Sequence, residues 1–217
     1  MTAPASPSPG TAVPQRAGLA AFDFDGTLAG RDTLVPFLRQ VRGTARVGLA
    51  LARAGVRARD RDALKVAAVG HLFRGMSADD LERHGRAYAA TLRAVLRPEM
   101  VERLHWHRDA GHAVVIVSAS LGAYLRPLAH HLGLDAALAV ELVRDASGVL
   151  TGAVVGELNT RGPEKVARLR AWAAERFGPA ADLELWAYGD SAGDEELLAI
   201  ADHATWVGRR AGRPGRR

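Results

Sequence analysis

Apolar runs of strand length alternate with helical patterns along this chain, and three of the runs end directly in polar clusters. The runs begin at Gly18, Ala113 and Leu183, and the clusters that follow them are Asp23-Phe24-Asp25-Gly26-Thr27, Ser118-Ala119-Ser120 and Asp190-Ser191-Ala192-Gly193-Asp194. Strands that alternate with helices form crossover units and a mainly parallel sheet. Ligands bind beyond the carboxyl ends of such strands, so clusters that are far apart in sequence meet in one crevice. The sequence therefore predicts an α/β fold, with a Rossmann-like, mainly parallel sheet flanked by helices.

The segment between the first two strands has a helical pattern throughout. Leu34, Phe37, Leu38 and Val41 recur at helix spacing, and Arg97-Pro98 breaks one helix and lets the next begin. An all-helical cap inserted beside the sheet is the simplest arrangement. The predicted organisation is a disordered leader over 1–17, an α/β catalytic core over 18–30 and 96–207, a helical cap over 31–95, and a basic flexible tail over 208–217.

The second half of the chain continues the alternation. We predict a helix from about Leu121 to Leu132 closed by Gly133, and a helix that Gly162-Pro163-Glu164 opens and that ends at about Phe177. The runs 139–143 and 149–155 flank a turn-forming Asp-Ala-Ser-Gly segment, which predicts a hairpin.

Composition excludes several classes of function. The chain has no cysteine, which excludes disulfides, thiolate nucleophiles and cysteine-ligated zinc. Residues 110–125 are the longest stretch of the predicted folded region without Asp, Glu, Lys or Arg, and they are too short and too polar to span a bilayer. Residues 1–15 lack the basic and apolar regions of a secretory signal. We therefore expect a cytoplasmic protein without a transmembrane segment.

Basic residues are concentrated in and beside the predicted cap. Residues 31–108 hold 16 basic and 8 acidic side chains, whereas the rest of residues 1–207 holds 8 basic and 16 acidic ones. Two interpretations of the first cap helices stay open. Their apolar residues form the core of the cap, or a basic amphipathic helix pair makes peripheral contact with an anionic membrane and presents a lipid phosphate. The arginine-rich tail is typical of a solvated end, and we expect no specific nucleic-acid partner.

The residue types at the strand ends point to phosphoryl chemistry. Carboxylate oxygens suit a hard cation such as Mg²⁺. The ammonium group of Lys165 and exposed backbone N–H groups suit a phosphoryl group, whose charge must be balanced before a nucleophile approaches. A carboxylate can be that nucleophile, and a second carboxyl two residues later can act as acid and base.

These motifs resemble those of the haloacid dehalogenase superfamily of phosphohydrolases, in its phosphoserine-phosphatase-like branch with a helical cap. The resemblance covers about residues 18–207, including the position of the cap. The motifs that carry it are Asp23-Phe-Asp25-Gly-Thr27 with Leu28, Ser118 after Val-Ile-Val, Lys165 in Gly-Pro-Glu-Lys, Gly-Asp190-Ser-x-x-Asp194 and, in the cap, Phe73-Arg74-Gly75-Met76-Ser77.

The resemblance implies a Mg²⁺-dependent phosphatase that works through an aspartyl-phosphate. Asp23 would be the nucleophile and a metal ligand, and Asp25 the general acid and base with its carbonyl on the metal. Asp190 would ligate Mg²⁺, and Asp194 would support it directly or through water. The phosphate-binding residues that the resemblance implies are Ser118, Ala119, Lys165, Gly26 and Thr27. Because Asp25 must carry a proton when Asp23 attacks, we predict that the pKa of Asp25 lies above that of Asp23.

The substrate is expected to be a small phosphorylated molecule, and several alternatives stay open. Phosphoserine is one, because Asp32 lies near the position of an acid that meets the substrate amine in that branch; Arg31 and Asp32 are the candidate specificity residues. The arginine that binds the substrate carboxylate has no clear match near Val69-Gly70-His71, and Gly26 stands where Ser is common. A lipid phosphate is a second alternative, and a phosphate-binding module without turnover is the non-enzyme one.

Two related classes fit the residues less well. A true dehalogenase needs neither a metal nor an acid two residues after its nucleophile, so Asp25 and Asp190 argue against it. A receiver-type signalling domain lacks a long helical insertion after its first strand.

Overall fold

The computed structural model describes residues 16–55, 68–155 and 162–208. The strands are β1 (Ala17–Phe22), β2 (Ala113–Leu121), β3 (Ala136–Val140), β4 (Leu142–Arg144), β5 (Leu150–Val154), β6 (Leu183–Gly189) and β7 (His203–Trp206). The α-helices are α1 (Leu34–Arg42), α2 (Thr44–Gly55), α3 (described over 68–73), α4 (Ala78–Leu92), α5 (Pro98–Asp109), α6 (Gly122–Leu132), α7 (Pro163–Phe177) and α8 (Glu195–Ala199). Short 3₁₀ turns cover Arg93–Val95 and Ala192–Asp194.

Five strands form one parallel sheet in the order β3-β2-β1-β6-β7, with β1 at its centre. The register pairs Phe22 of β1 with Ile116 of β2 on one side and with Tyr188 of β6 on the other. This arrangement confirms the predicted α/β fold with a parallel sheet. The three strands that precede the polar clusters are neighbours, so their carboxyl ends lie side by side.

The central strand is apolar on both faces because helices cover both sides of the sheet. Ala20 and Phe22 point into the core that continues into the cap, whereas Leu19 and Ala21 pack with residues of α7 and α8. A nearly continuous apolar run is typical of a parallel strand that is buried on both faces. None of the helices in the described ranges is long and apolar enough to cross a bilayer.

Two chain segments that run side by side connect the sheet to the cap helices α1–α4. The N–H of Gly30 donates to the carbonyl of Val95 at 2.9 Å, and the N–H of Arg97 donates to the carbonyl of Leu28 at 2.8 Å. Within the cap, the apolar side chains that define one face of α1 are buried: Leu34, Phe37 and Leu38. They form a cap core, as the first of the two interpretations predicts.

The region predicted as one strand over 139–143 is two strands. β3 ends at Val140 and belongs to the main sheet, whereas β4 pairs only with β5 in an antiparallel hairpin. The break falls at Glu141, whose carboxylate forms an ion pair with Arg126 of α6. The hairpin turns toward the cap, because Leu150 exchanges backbone hydrogen bonds of 2.8 Å with Gly75 and Met76. Periodicity alone did not predict this contact.

The predicted leader is too long by two residues at its boundary with the core. Ala17 is the first residue of β1 and pairs with Leu183 of β6. Arg16 is also held in place, because its guanidinium forms ion pairs with Asp182 and Asp202. The remainder of the leader (1–15) and the tail after Gly208 lie outside the described residues.

Candidate active site

The predicted site residues converge at the carboxyl edge of the sheet. Asp23 directly follows β1, and its backbone N–H donates to the carbonyl of Tyr188 on β6 at 2.9 Å. Ser118 lies on β2, Lys165 in the first turn of α7, and Asp190 directly after β6. Four segments of the chain that are distant in sequence therefore supply one site.

The loop after β1 is a tight turn that requires glycine at position 26. Gly26 has a φ of 94°, and its N–H donates to the carbonyl of Ala29 at 2.9 Å. The N–H of Thr27 donates to the carbonyl of Phe24 at 3.2 Å. A Cβ at position 26 would lie only 2.3 Å from Oδ2 of Asp190. Gly26 therefore provides both the backbone conformation and the space that the Asp190 carboxylate occupies.

Lys165 is buried between two carboxylates. Its Nζ donates to Oδ1 of Asp23 and to Oδ1 of Asp194, each at 2.6 Å, and the residue is only 3% exposed. Burial acts to lower the pKa of Lys165, but the charges of Asp23 and Asp194 outweigh it and raise the pKa. Burial raises the pKa of Asp23 to about 7; the charge of Lys165 opposes the rise and that of Asp194 adds to it. The lysine thus supplies the positive charge that keeps buried carboxylates together.

Asp25 is held by three hydrogen bonds that use both of its carboxylate oxygens. Oδ1 accepts from the N–H of Thr33 at 2.8 Å and from its hydroxyl at 2.6 Å. Oδ2 accepts from the hydroxyl of Ser120. Burial raises the pKa of Asp25, and the hydrogen bonds from Ser120 and Thr33 oppose the rise. The pKa values of Asp23 and Asp25 are thus both raised, and their order stays a prediction.

Thr33 is itself held by tyrosines from the cap and from the core. The hydroxyl of Tyr88 on α4 donates to the Thr33 carbonyl at 2.9 Å, and the hydroxyl of Tyr124 on α6 lies 3.2 Å from Thr33 Oγ1. Burial raises the pKa of Tyr124 well above its usual value, so its hydroxyl keeps its proton. The ring of Phe37 packs against both tyrosine rings. The position of the Asp25 carboxylate is therefore coupled to the packing of the cap.

Asp194 organises the loop after β6. Its Oδ2 accepts from the hydroxyl and the N–H of Ser191 at 2.9 and 3.0 Å and from the N–H of Asp190 at 3.2 Å. The Ser191 hydroxyl also accepts from the N–H of Gly193, which completes a capping box at the start of the 3₁₀ turn. Its Oδ1 accepts from Lys165, so Asp194 links the lysine to the loop after β6.

The donor set fits a magnesium ion. In the part of the chain that the structure describes, one group of carboxylates is arranged to hold a metal: Asp23, Asp190 and Asp194, which each offer an oxygen within 4.8 Å of the others. Oδ1 of Asp190 is buried and has no hydrogen-bond partner among the described residues. Leaving a buried carboxylate oxygen unpaired is costly, and a hard cation satisfies it. Burial, with the charge of Asp194, raises the pKa of Asp190.

The predicted phosphate-binding residues differ in how they are placed. Ser118 is buried, and its Oγ accepts from the N–H of Ser120 at 3.1 Å. Ala119, between them, is half-buried. Thr27 is fully buried, and its hydroxyl has no hydrogen-bond partner within the described ranges. Ser118 thus lies near the carboxyl end of β2, and Thr27 lies in the loop after the neighbouring strand β1. Their phosphate-binding role stays a prediction.

The two candidate specificity residues lie where α1 begins. Arg31 is exposed, and Asp32 is half-buried and caps the helix, because its Oδ2 accepts from the N–H of Val35 at 3.0 Å. Arg97 is a cation that contacts the loop after β1, because its Nε donates to the carbonyl of Gly26 at 3.3 Å. Sequence reasoning used Arg97 only as a helix boundary.

Sequence reasoning also missed the residues that hold Asp25. Ser120 could have been predicted as a site residue, because it lies two residues after the candidate Ser118, and side chains two apart on a strand lie on the same face. Thr33 directly precedes α1, but its side chain makes no capping hydrogen bond to that helix. Tyr88 and Tyr124 carried no signal that separates them from ordinary core aromatics.

Comparison with known proteins identifies relatives in sequence and in fold. The family model of haloacid dehalogenase-like hydrolases matches residues 20–199. Protein CicA of Caulobacter vibrioides is 40% identical over 191 residues, which cover 85% of this chain and 83% of the relative.

Solved structures share the fold at lower identity. A Bordetella pertussis protein described as of unknown function has a TM-score of 0.70 at 23% identity and covers 85% of this chain and 87% of its own. A phosphoserine phosphatase, solved as an analogue of the phospho-aspartyl intermediate, has a TM-score of 0.58 at 24% identity and covers 86% and 84%.

Proposed function

Because the chain belongs to the haloacid dehalogenase-like hydrolases, we propose that it is a Mg²⁺-dependent phosphomonoester hydrolase that forms an aspartyl-phosphate on Asp23. The observation that carries the proposal is the buried contact of Lys165 with Asp23 and Asp194, with the unpaired Asp190 oxygen beside it. The shared fold with a phosphoserine phosphatase supports a phosphate ester as the substrate class.

The metal would be held by the carboxylates of Asp23 and Asp190 and by the backbone carbonyl of Asp25. Asp194 would support the metal directly or through water, and it would also position Lys165 and the Asp190 loop. Bound Mg²⁺ offsets the negative charge of the phosphate and of the carboxylates, so that an anionic nucleophile can approach.

In the first step, a carboxylate oxygen of Asp23 forms a bond to phosphorus and the ester P–O bond breaks. Asp25 donates its proton to the leaving alkoxide, and the burial that raises its pKa favours that protonated state. In the second step, Asp25 takes a proton from water while the water oxygen attacks phosphorus. The acyl-phosphate bond breaks, and Asp23 and inorganic phosphate are released.

The phosphoryl oxygens would be bound by the Ser118 hydroxyl, the Lys165 ammonium and backbone N–H groups near Gly26 and Ala119. These groups surround the end of β1, and donors placed before the reaction stabilise charge without reorganisation. Thr27 would contribute its buried hydroxyl, which has no partner among the described residues.

Phosphoserine is a weaker candidate than the general class. The cap residues near the expected carboxylate-binding position lie on α3, where Val69 and Leu72 are buried and apolar and His71 is exposed. Arg31 and Asp32, directly before the start of α1, remain the proposed specificity residues. A cytoplasmic location, with small phosphorylated molecules as substrates, is part of this proposal.

The test is phosphate release from a panel of monoesters that holds phosphoserine, sugar phosphates, nucleotides and short-chain lipid phosphates. The wild type should release phosphate only with Mg²⁺, and Asp23→Asn should abolish release. Asp109→Asn, on an exposed helix end, is the matched control and should behave like wild type. Binding of phosphate without turnover on any ester would instead favour a phosphate-binding module, and release that Asp23→Asn retains would refute the proposed nucleophile.

A further inference from the structure

The outward face of α2 is apolar at its centre, basic at its ends and free of acid. Ala45, Arg46, Leu49, Ala52 and Arg53 are all exposed and recur at helix spacing; we call these five residues the α2 outer face. Leu49, at its centre, is 51% exposed. A solvent-facing helix surface normally carries polar residues, whereas this face combines an apolar stripe of Ala45, Leu49 and Ala52 with two arginines beside it, the pattern of an interfacial helix.

The arginines around this face have no acidic partner among the residues that the structure describes. Residues 34–55 contain four arginines and neither Asp nor Glu. No ion pair joins Arg39, Arg46 or Arg53 to an acidic side chain within the described ranges. On α4 of the same cap, by contrast, Arg83 pairs with Asp80. Within the described ranges, the positive charge of the α2 outer face is therefore available to an anionic partner.

We propose that the α2 outer face docks on an anionic lipid bilayer. Leu49, with the alanines beside it, enters the boundary between headgroups and acyl chains, and Arg46 and Arg53 extend to lipid phosphates. The buried side of the same helix, formed by Val47 and Ala50, anchors it to the cap core. The helix thus uses opposite faces for the protein and for the membrane.

Other occupants fit the face less well. A second copy of the chain would bring Arg46 and Arg53 against the same arginines, which repel one another. Nucleic acid is recognised by basic side chains with hydrogen-bonding or stacking groups between them, whereas alanine and leucine fill the centre of this face. An interfacial lipid surface matches both the apolar centre and the basic ends.

The test is flotation of the full-length protein with vesicles of phosphatidylcholine alone or of phosphatidylcholine with phosphatidylglycerol. The wild type should bind only the anionic vesicles, and high salt should weaken the binding. Arg46→Gln/Arg53→Gln should lower the partition coefficient about thirtyfold, at about fivefold per arginine near the surface. Leu49→Ser should lower it about tenfold, because burial of the leucine is lost. The matched control is Arg86→Gln/Arg93→Gln, which removes the same charge at two exposed cap positions and should change binding less than about twofold.

A second measurement reports insertion directly. Because the chain has no cysteine, Leu49→Cys and Ala110→Cys each carry one environment-sensitive fluorophore. Anionic vesicles should shift the emission of the Leu49→Cys probe to the blue and leave the Ala110→Cys probe, on an exposed helix end, unchanged.

Four results would overturn the proposal. The first is absence of binding to anionic vesicles, and the second is an equal loss of vesicle binding in Arg86→Gln/Arg93→Gln. The third is self-association that Leu49→Ser abolishes, and the fourth is binding to duplex DNA, through the same arginines, that is tighter than binding to the vesicles. If the arginine-rich tail after Gly208 carried the binding instead, the α2 variants would bind like the wild type, and the proposal would fall as well. None of these measurements depends on hydrolysis, so the proposed enzyme activity is tested separately.

Discussion

Substitution of Gly26 by alanine separates two roles of one glycine. The first role is conformational: Gly26 has a φ of 94°, and the left-handed region costs an L-residue about 1–2 kcal/mol. The second role is spatial, because a Cβ at position 26 would lie 2.3 Å from Oδ2 of Asp190. That oxygen is the end of a movable side chain, so the clash displaces Asp190 rather than the backbone. We expect Gly26→Ala to lose about 1–2 kcal/mol of unfolding free energy and at least about tenfold in Mg²⁺ affinity.

Gly75→Ala is the matched control for this experiment. Gly75 has a φ of 80°, and a Cβ there would meet no atom within 4 Å. In urea titration, Gly75→Ala should lose about as much free energy of unfolding as Gly26→Ala does. In calorimetry, Gly75→Ala should bind Mg²⁺ with the affinity of the wild type. Equal Mg²⁺ affinities in Gly26→Ala and wild type would refute the assignment of Asp190 as a metal ligand crowded by position 26.

Three further predictions concern the buried polar groups. Thr33→Val removes one of the hydrogen bonds to Asp25, so kcat should fall about tenfold with KM nearly unchanged; a change in KM alone would contradict this. Lys165→Met leaves Asp23 unpaired, so turnover should be lost. The variant should also have a lower free energy of unfolding than the wild type, and this difference should shrink as pH falls because the carboxylates become protonated. Burial, with the charge of a neighbouring histidine, lowers the pKa of His107 to about 4, so the unfolded state binds an extra proton between about pH 6.5 and 4. Stability should therefore fall by up to about 3 kcal/mol across that window, and His107→Gln should flatten the fall in urea titrations; an unchanged slope would refute it.

The parallel sheet and the position of Asp23, Asp25 and Asp190 after its strands were predictable because they follow from local patterns. The run before Asp23 is apolar on both faces, and the turn after it carries glycine where φ is positive. Strand periodicity and turn chemistry act over a few residues, so one sequence reveals them. The split between β3 and β4 was not predictable from periodicity, because the features that accompany it are tertiary contacts: the Glu141–Arg126 ion pair and the backbone hydrogen bonds of Leu150 with the cap.

The sequence alone determined which chemical groups are available, since carboxylates, one lysine and hydroxyls follow strands whose ends must meet. Only the tertiary structure decided how these groups are paired. It assigned Lys165 to both Asp23 and Asp194, and it brought Thr33 from the cap boundary onto Asp25. The physical reason is that a hydrogen bond between buried groups requires its two atoms to lie within a few ångströms of each other. Lys165 and Asp23 are 142 residues apart in the chain, and only the packing of sheet, helix and cap brings them to that distance.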